Sequence, residues 1–457
     1  GFDVGIDFVN DISYMAWVME NISLSGQSVC GIDIAGKPIA LRGLTSTNSV
    51  PAVRMAHPAA LLSILDSTCV GGSSTNPALQ INGGSVFARN ISVQGYTTTV
   101  YDAEHGGYVT HDISHNEYVS GTGARLWDTT PLKSLDLPIV ETPTVPWDAT
   151  GDWAIVDVDA QDDDTEAVRR AMAGGKTTVA FTPGECKLTD TVVIGPDVRR
   201  ILGQWTRLKA DGGEMRVSHP PKPMFRLEDS NHDTVVFEKF DAMWSGTNLN
   251  VYLMHHAGDN DLVLKDIFFP EGTAYRNDPV ENGRLFVENV HTIRGSQTPI
   301  FNDPAWTIVN QDMWARQLNP EMLMPHVIND GGRVWILGFK FGEFCGPVVQ
   351  TKKHGETELH GGVMNVTCDD FPPPPQQNLG MIEIDNGKAS AVMLERCTWN
   401  PYSGGNGWGF HSNVVIETRR DETRRVIHRA DGYRPWSNHW FSVAGITNRA
   451  GEHGAFI

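Results

Sequence analysis

The chain has 457 residues, with 36 Lys and Arg against 55 Asp and Glu, a formal charge of −19. That balance excludes nucleic acid as a partner, because phosphate binding needs clustered basic residues. No uninterrupted apolar run reaches the roughly 18–20 residues of a membrane span, and 46 Gly with 26 Pro predict frequent turns and few long helices.

The first hundred residues carry a repeat. Asn21-Ile22-Ser23 returns as Asn90-Ile91-Ser92, with Gly43-Leu44-Thr45 and Asp66-Ser67-Thr68 between them, at spacings of 22, 23 and 24 residues. Each anchor is Asn, Gly or Asp, the types that tolerate a left-handed corner, and each is followed two positions on by Ser or Thr. Alternating segments such as 85–95 supply the strands. One rung of a right-handed parallel β-helix, three short strands and three turns, fits this period. The pattern returns less regularly at Asp266, Asn289, Gly338, Asn365 and Arg396, so insertions are expected on some rungs. The fold expectation is all-β: two tandem right-handed parallel β-helices with rungs of about 22–30 residues and a short helix capping the second.

Residues 1–133 form the first expected β-helix, shortened at its N-terminus because the chain opens on what reads as mid-strand. Residues 134–153, with Pro138, Pro143 and Pro146, form an extended linker that cannot join a central strand. Residues 154–457 form the second. The six cysteines are scattered without C-x-x-C spacing and read as small buried hydrophobes.

After the linker, Asp163 and Glu166 have capping-box spacing ahead of a helix over about 164–173, closed by Gly174-Gly175. Strands are expected over 177–181 and 191–194, around a Pro183-Gly184 turn. The Asp162-Asp163-Asp164 run reads as helix cap and not as a metal site. His111 and His115 fall in a strand-and-turn context where their i, i+4 spacing does not align them, so no metal or other cofactor is expected.

The order D-D-T-x-A-V, G-G-x-x-T-V-x-F-x-P-G, strand, Gly over 160–204 resembles the entry of pectate-lyase-superfamily β-helix domains. The tandem arrangement is similar to glycoside hydrolase family 55, the exo-β-1,3-glucanases. That resemblance implies a secreted or cell-surface enzyme hydrolysing a β-glucan. The segment W-I-L-G-F-K-F-G-E-F (335–344) is similar to the family 55 segment W-x-x-G-x-x-x-E-H. It implies Glu343 as general acid, with one extra residue before the Glu and Phe344 where His is usual.

The residues point the same way. Glycosidases need a protonated acid and a second carboxylate or positioned water, and an apolar surround such as Phe344 and Cys345 raises a carboxyl pKa. Glu358 is the second candidate carboxylate. Trp314, Arg316 and Gln317 suit sugar stacking and hydroxyl binding, as do Tyr402 and Trp408 in a Gly-rich loop, and the cleft is expected between the two helices. A polysaccharide lyase, or a non-catalytic glycan-binding or structural β-helix, are the alternatives. The charge favours neutral glycans over polyuronates.

Overall fold

The computed structural model describes residues 2–8, 16–58, 60–103, 107–109, 113–120, 133–158, 163–210, 212, 215, 220–242, 251–270, 272–279, 283–293, 300–301, 304–321, 323–342, 347–366, 380–397, 413–428, 440–443, 446–447 and 455–456. They form an all-β parallel β-solenoid of about 12 turns. Among the described residues no helix is long and apolar enough to cross a membrane.

Successive rungs pair in parallel, as in Ser85–Gln94 against Leu61–Val70, or Met313–Glu321 between Leu285–Ile293 and Arg333–Gly342. Strands up to Ile113–Val119 build a six-stranded and a seven-stranded sheet. From Ala154–Val156 onward they build a twelve-stranded and a ten-stranded one. Inward residues of the first set form one apolar cluster, including Ile32, Leu62 and Ile64. Those of the second form another, including Phe225, Phe237, Trp306 and Phe339. Cys30, Cys69 and Cys186 are free thiols buried in these interiors.

The corners explain the period. Asn21, Gly43, Asp66 and Asn90 all have positive φ, between 47° and 70°. Asp266, Asn289, Gln317, Gly338 and Gly361 repeat it, at 52° to 66°. The corner side chains also bond along the stack: Asn90 donates to Asp66 at 2.8 Å, and Asn289 to Asp266 at 2.9 Å. The expectation fails at three places, one of them Arg396, which lies within the strand Lys388–Cys397 and has no positive φ. Gly361, and not Asn365, turns its rung, and Gln317 supplies the corner missing between Asn289 and Gly338. Glycine at 338 and 361 also allows close approach: a Cβ would come within 2.0 Å of Val18 and 2.7 Å of Ala40 on the seven-stranded sheet.

The helix runs Thr165–Met172 and buries Val168 and Met172. Asp163 accepts from the Thr165 amide at 3.0 Å and from the Thr189 hydroxyl at 2.6 Å, but the expected capping box does not form. Asp164 is the N-cap residue without a side-chain capping bond, and Glu166 pairs with Arg169. Strands Thr178–Phe181 and Val192–Ile194 follow, with Glu185–Leu188 as an additional one between them.

Residues 133–149 take no strand pairing. They lie pressed between the seven- and twelve-stranded sheets, with Leu137 and Val145 buried. A third apolar cluster fills this seam: Ala40, Leu61, Leu65 and Phe87 from one side, Phe286, Trp314, Trp335 and Leu337 from the other.

Candidate functional site

Most of the expected sugar-binding residues that can be placed lie in this seam. Trp314 is 3% exposed, stacks on Phe286 at 5.5 Å, and donates its indole N–H to the Pro138 carbonyl at 2.8 Å. Arg316 donates through Nε to Glu20 at 2.7 Å and through its other arm to the Val140 carbonyl at 3.1 Å. Gln317 holds the corner, with φ 56°. Neither Trp314 nor Arg316 presents a face to solvent.

Glu358 is fully buried. One oxygen takes a hydrogen bond from Arg89 at 2.7 Å and lies 3.0 Å from His360 Nε2. The other takes the Leu137 amide at 2.8 Å. Burial alone would raise its pKa, but the His360 and Arg89 charges and the amide outweigh it and hold the carboxyl down at about 2. Such a group is ionised at neutral pH and cannot act as the general acid. Its enclosure by Arg89, His360 and the Leu137 amide leaves it no opening toward a substrate as the second carboxylate. Glu343, Tyr402 and Trp408 lie outside the described residues.

A second carboxylate that the sequence reading passed over stands beyond the corner, outside the seam. Glu321 ends the strand Met313–Glu321 and is 6% exposed. It is ion-paired to Lys340, and His291 Nε2 lies 3.4 Å from its Oε1. With the Asn319 amide nitrogen turned toward them, as the bonding pattern requires, it donates to Glu321 at 3.2 Å and to the Lys340 carbonyl at 2.7 Å. Burial pushes the Glu321 pKa up, yet hydrogen bonding to His291 and the Lys340 ammonium prevail and bring it to about 2. His291 is a third exposed, packs against Phe268 at 4.9 Å, and forms the open side of the cluster.

The local sequence explains this placement. His291, Asn319 and Lys340 belong to the adjoining strands Leu285–Ile293, Met313–Glu321 and Arg333–Gly342, each past its positive-φ corner. Gly342 is the register partner of Glu321. A Cβ there would sit 3.1 Å from the Lys340 ammonium and 3.5 Å from Glu321 Cγ, so glycine lets the ion pair pack close against the backbone. The cluster therefore offers a fixed, ionised carboxylate beside a cation, suited to polarise a water or stabilise positive charge. The usable signal was register: Glu321 lies about one rung before Glu343.

No family model matches the chain, and no curated protein matches it. Among solved structures, it is similar to Geobacillus virus E2 ORF18, at 13% identity and a TM-score of 0.28, over 66% of this chain and 72% of that one.

Proposed function

We propose that the protein is a secreted or cell-surface carbohydrate-active enzyme, a glycoside hydrolase acting on a β-glucan. In this reading Glu343 is the general acid and Glu321 the second carboxylate. The observation that carries it is the buried, ionised Glu321, whose register partner Gly342 immediately precedes Glu343 in the chain. Two carboxyl groups with opposed protonation are what glycoside hydrolysis needs. The β-solenoid is shared by carbohydrate-active enzymes and by others, so the fold alone does not select this reading.

We further propose two tandem right-handed β-helices divided within 134–153, with the helix Thr165–Met172 covering the start of the second. Supporting this, strands on either side of the division pair only with their own group among the described residues.

The test is release of reducing ends from a panel of neutral glucans. Glu321→Gln and Glu343→Gln are each expected to lower the rate by about 10²–10⁴. Glu321→Gln also lowers stability, because it leaves the buried Lys340 ammonium without its counter-charge, so its rate is read well below its unfolding temperature. Products that absorb in the ultraviolet and vanish with a chelator would favour a lyase. Binding without cleavage would favour a lectin-like or structural module.

A further inference from the structure

The chain has adjacent histidines at 255 and 256, and the strand Val251–His256 sends them to opposite sides. His256 faces inward and is closed into a network with the Tyr275 hydroxyl at 2.9 Å and the Asn260 carbonyl at 2.8 Å. Buried in this way, its pKa is brought down to about 4, and it serves the corner.

His255 is different. It stands outside the apolar core on the ten-stranded sheet, with 13% of its side chain exposed. Its Nδ1 lies 2.8 Å from the Tyr252 hydroxyl and its Nε2 2.9 Å from Asp278. Because a phenol donates to an imidazole nitrogen, Nδ1 is the acceptor and Nε2–H points to Asp278. This is the geometry that activates a nucleophile: a hydroxyl on a base, and the base oriented by a carboxylate.

Two guanidinium groups complete it. Arg226, His255 and Arg276 are register partners on three consecutive strands, so they stack in one row. Arg276 lies over the Tyr252 ring at 4.9 Å. Arg226 reaches Asp278 at 3.5 Å and Glu228 at 3.0 Å. Burial lowers the His255 pKa, Asp278 opposes this, and Arg226 and Arg276 lower it further, so the ring is a neutral base at neutral pH. Burial raises the Tyr252 pKa above its ordinary value, Arg276 and Arg226 offset this only in part, and so the phenol gives up its proton only as His255 takes it.

We propose that Tyr252, His255 and Asp278 form an acyl-transfer site for carboxylic esters, such as acyl groups carried on sugar hydroxyls. The Tyr252 oxygen attacks the ester carbonyl as its proton passes to His255 Nδ1. The tetrahedral oxyanion forms within the field of Arg276 and Arg226. The acyl–alkoxy bond breaks, and His255 returns the proton to the departing alkoxide, leaving acyl-tyrosine and an alcohol. Water, deprotonated by His255, then attacks the acyl-tyrosine and gives the free acid and the original phenol. Asp278 is a positioning residue that fixes the tautomer. A phenol is closer in acidity to imidazole than an alkanol is, and an aryl ester is readily hydrolysed, so both half-reactions suit tyrosine. This site uses none of the residues of the proposed hydrolase centre and breaks a different bond.

The test is stopped-flow hydrolysis of p-nitrophenyl acetate by the full chain, with acid-quenched peptide mapping. The expected result is a burst of about one equivalent of p-nitrophenolate per chain, with the acetyl group on Tyr252. Tyr252→Phe, which keeps the ring and removes the hydroxyl, abolishes both. His255→Asn slows the burst by about 10³-fold or more. Asp278→Asn shifts the pH profile of the burst while Tyr252 remains the acceptor. A full burst in Tyr252→Phe, or acetyl on another residue at wild-type rate, overturns the proposal. So does an unchanged pH profile in Asp278→Asn. No glucan enters the assay, so failure here is distinct from failure of the hydrolase reading.

Discussion

Replacing Glu358 by Gln tests the charged heart of the seam. The carboxylate is held at about 2, against an ordinary value near 4.5, so the folded state binds its proton more weakly than the unfolded chain does. A depressed pKa contributes stability that is complete above about pH 4.5 and lost as pH falls toward 2. The difference amounts to about 3 kcal/mol. Glu358→Gln keeps the shape and one acceptor for the Leu137 amide, but it removes the buried counter-charge of Arg89 and leaves it only the exposed Asp136 at 3.6 Å. Removing one partner of a buried pair typically costs about 3–5 kcal/mol.

The expected outcome at pH 7 is a loss of about 2–4 kcal/mol in urea unfolding and faster amide exchange over 134–140. Wild type loses most of its advantage over the variant between pH 4.5 and 2. Replacing both Arg89 and Glu358 with apolar residues of similar volume recovers part of the loss, since neither charge is then left alone but the Leu137 amide loses its acceptor. Equal stability of wild type and Glu358→Gln at pH 7 would refute the reasoning. So would an equally steep acid dependence in both, or exchange over 134–140 that does not respond.

Other perturbations probe different parts of the molecule. Gly361→Ala forces a side chain to φ 66° and to within 2.7 Å of the Ala40 Cβ. It is expected to cost about 2–4 kcal/mol, seen as a lower unfolding temperature and cleavage of the 134–149 segment by protease. Asn289→Gly keeps the left-handed corner and loses only the bond to Asp266, so its cost is expected below about 1 kcal/mol. Asn289→Val, which resists φ 53°, is expected to cost about 2 kcal/mol in the same denaturation assay. Lys340→Met leaves the His291 hydrogen bond in place but removes the ammonium that also holds the Glu321 pKa down, and so raises it. If Glu321 acts as a base, the acid limb of the glucanase pH–rate profile moves to higher pH.

The solenoid was legible because its corners leave a chemical trace. Over 21–90 and 266–361 a left-handed residue recurs every 21–28 positions, and Asn, Asp or Gly, which tolerate that conformation, fill all but one of these corners. Where a corner uses Gln317, a residue with no such preference, the trace disappears and the neighbouring insertion looks larger than it is. Asn365 misled for the complementary reason: it is a corner-type residue at a plausible spacing, but Gly361 turns that rung. The glycine is needed there because Ala40 and Ser63 approach it from the other sheet, a tertiary contact that no local pattern announces.

The site residues were harder to read because a seam and a sugar site demand the same chemistry. The segment 133–149 makes no strand, so its carbonyls need donors, and the twelve-stranded sheet supplies them. Trp314 donates to Pro138, Arg316 to Val140, and Arg200 to Val145 at 2.7 Å. Flat faces and forked donors matched to carbonyl oxygens are also what a glycan with ring faces and hydroxyls would select. An arginine in this setting does two things at once, since it also pairs with the carboxylates Glu20, Glu238 and Glu358 that the seam buries. A hydrophobic replacement would close the seam but leave the carbonyls without partners. This explains why Trp, Arg and Glu point outward from these rungs and yet are buried. The feature that separates a candidate reaction centre from such a seam is an ionised carboxylate with an open neighbour. Glu321 has one in part-exposed His291; Glu358, enclosed by Arg89, His360 and Leu137, has none.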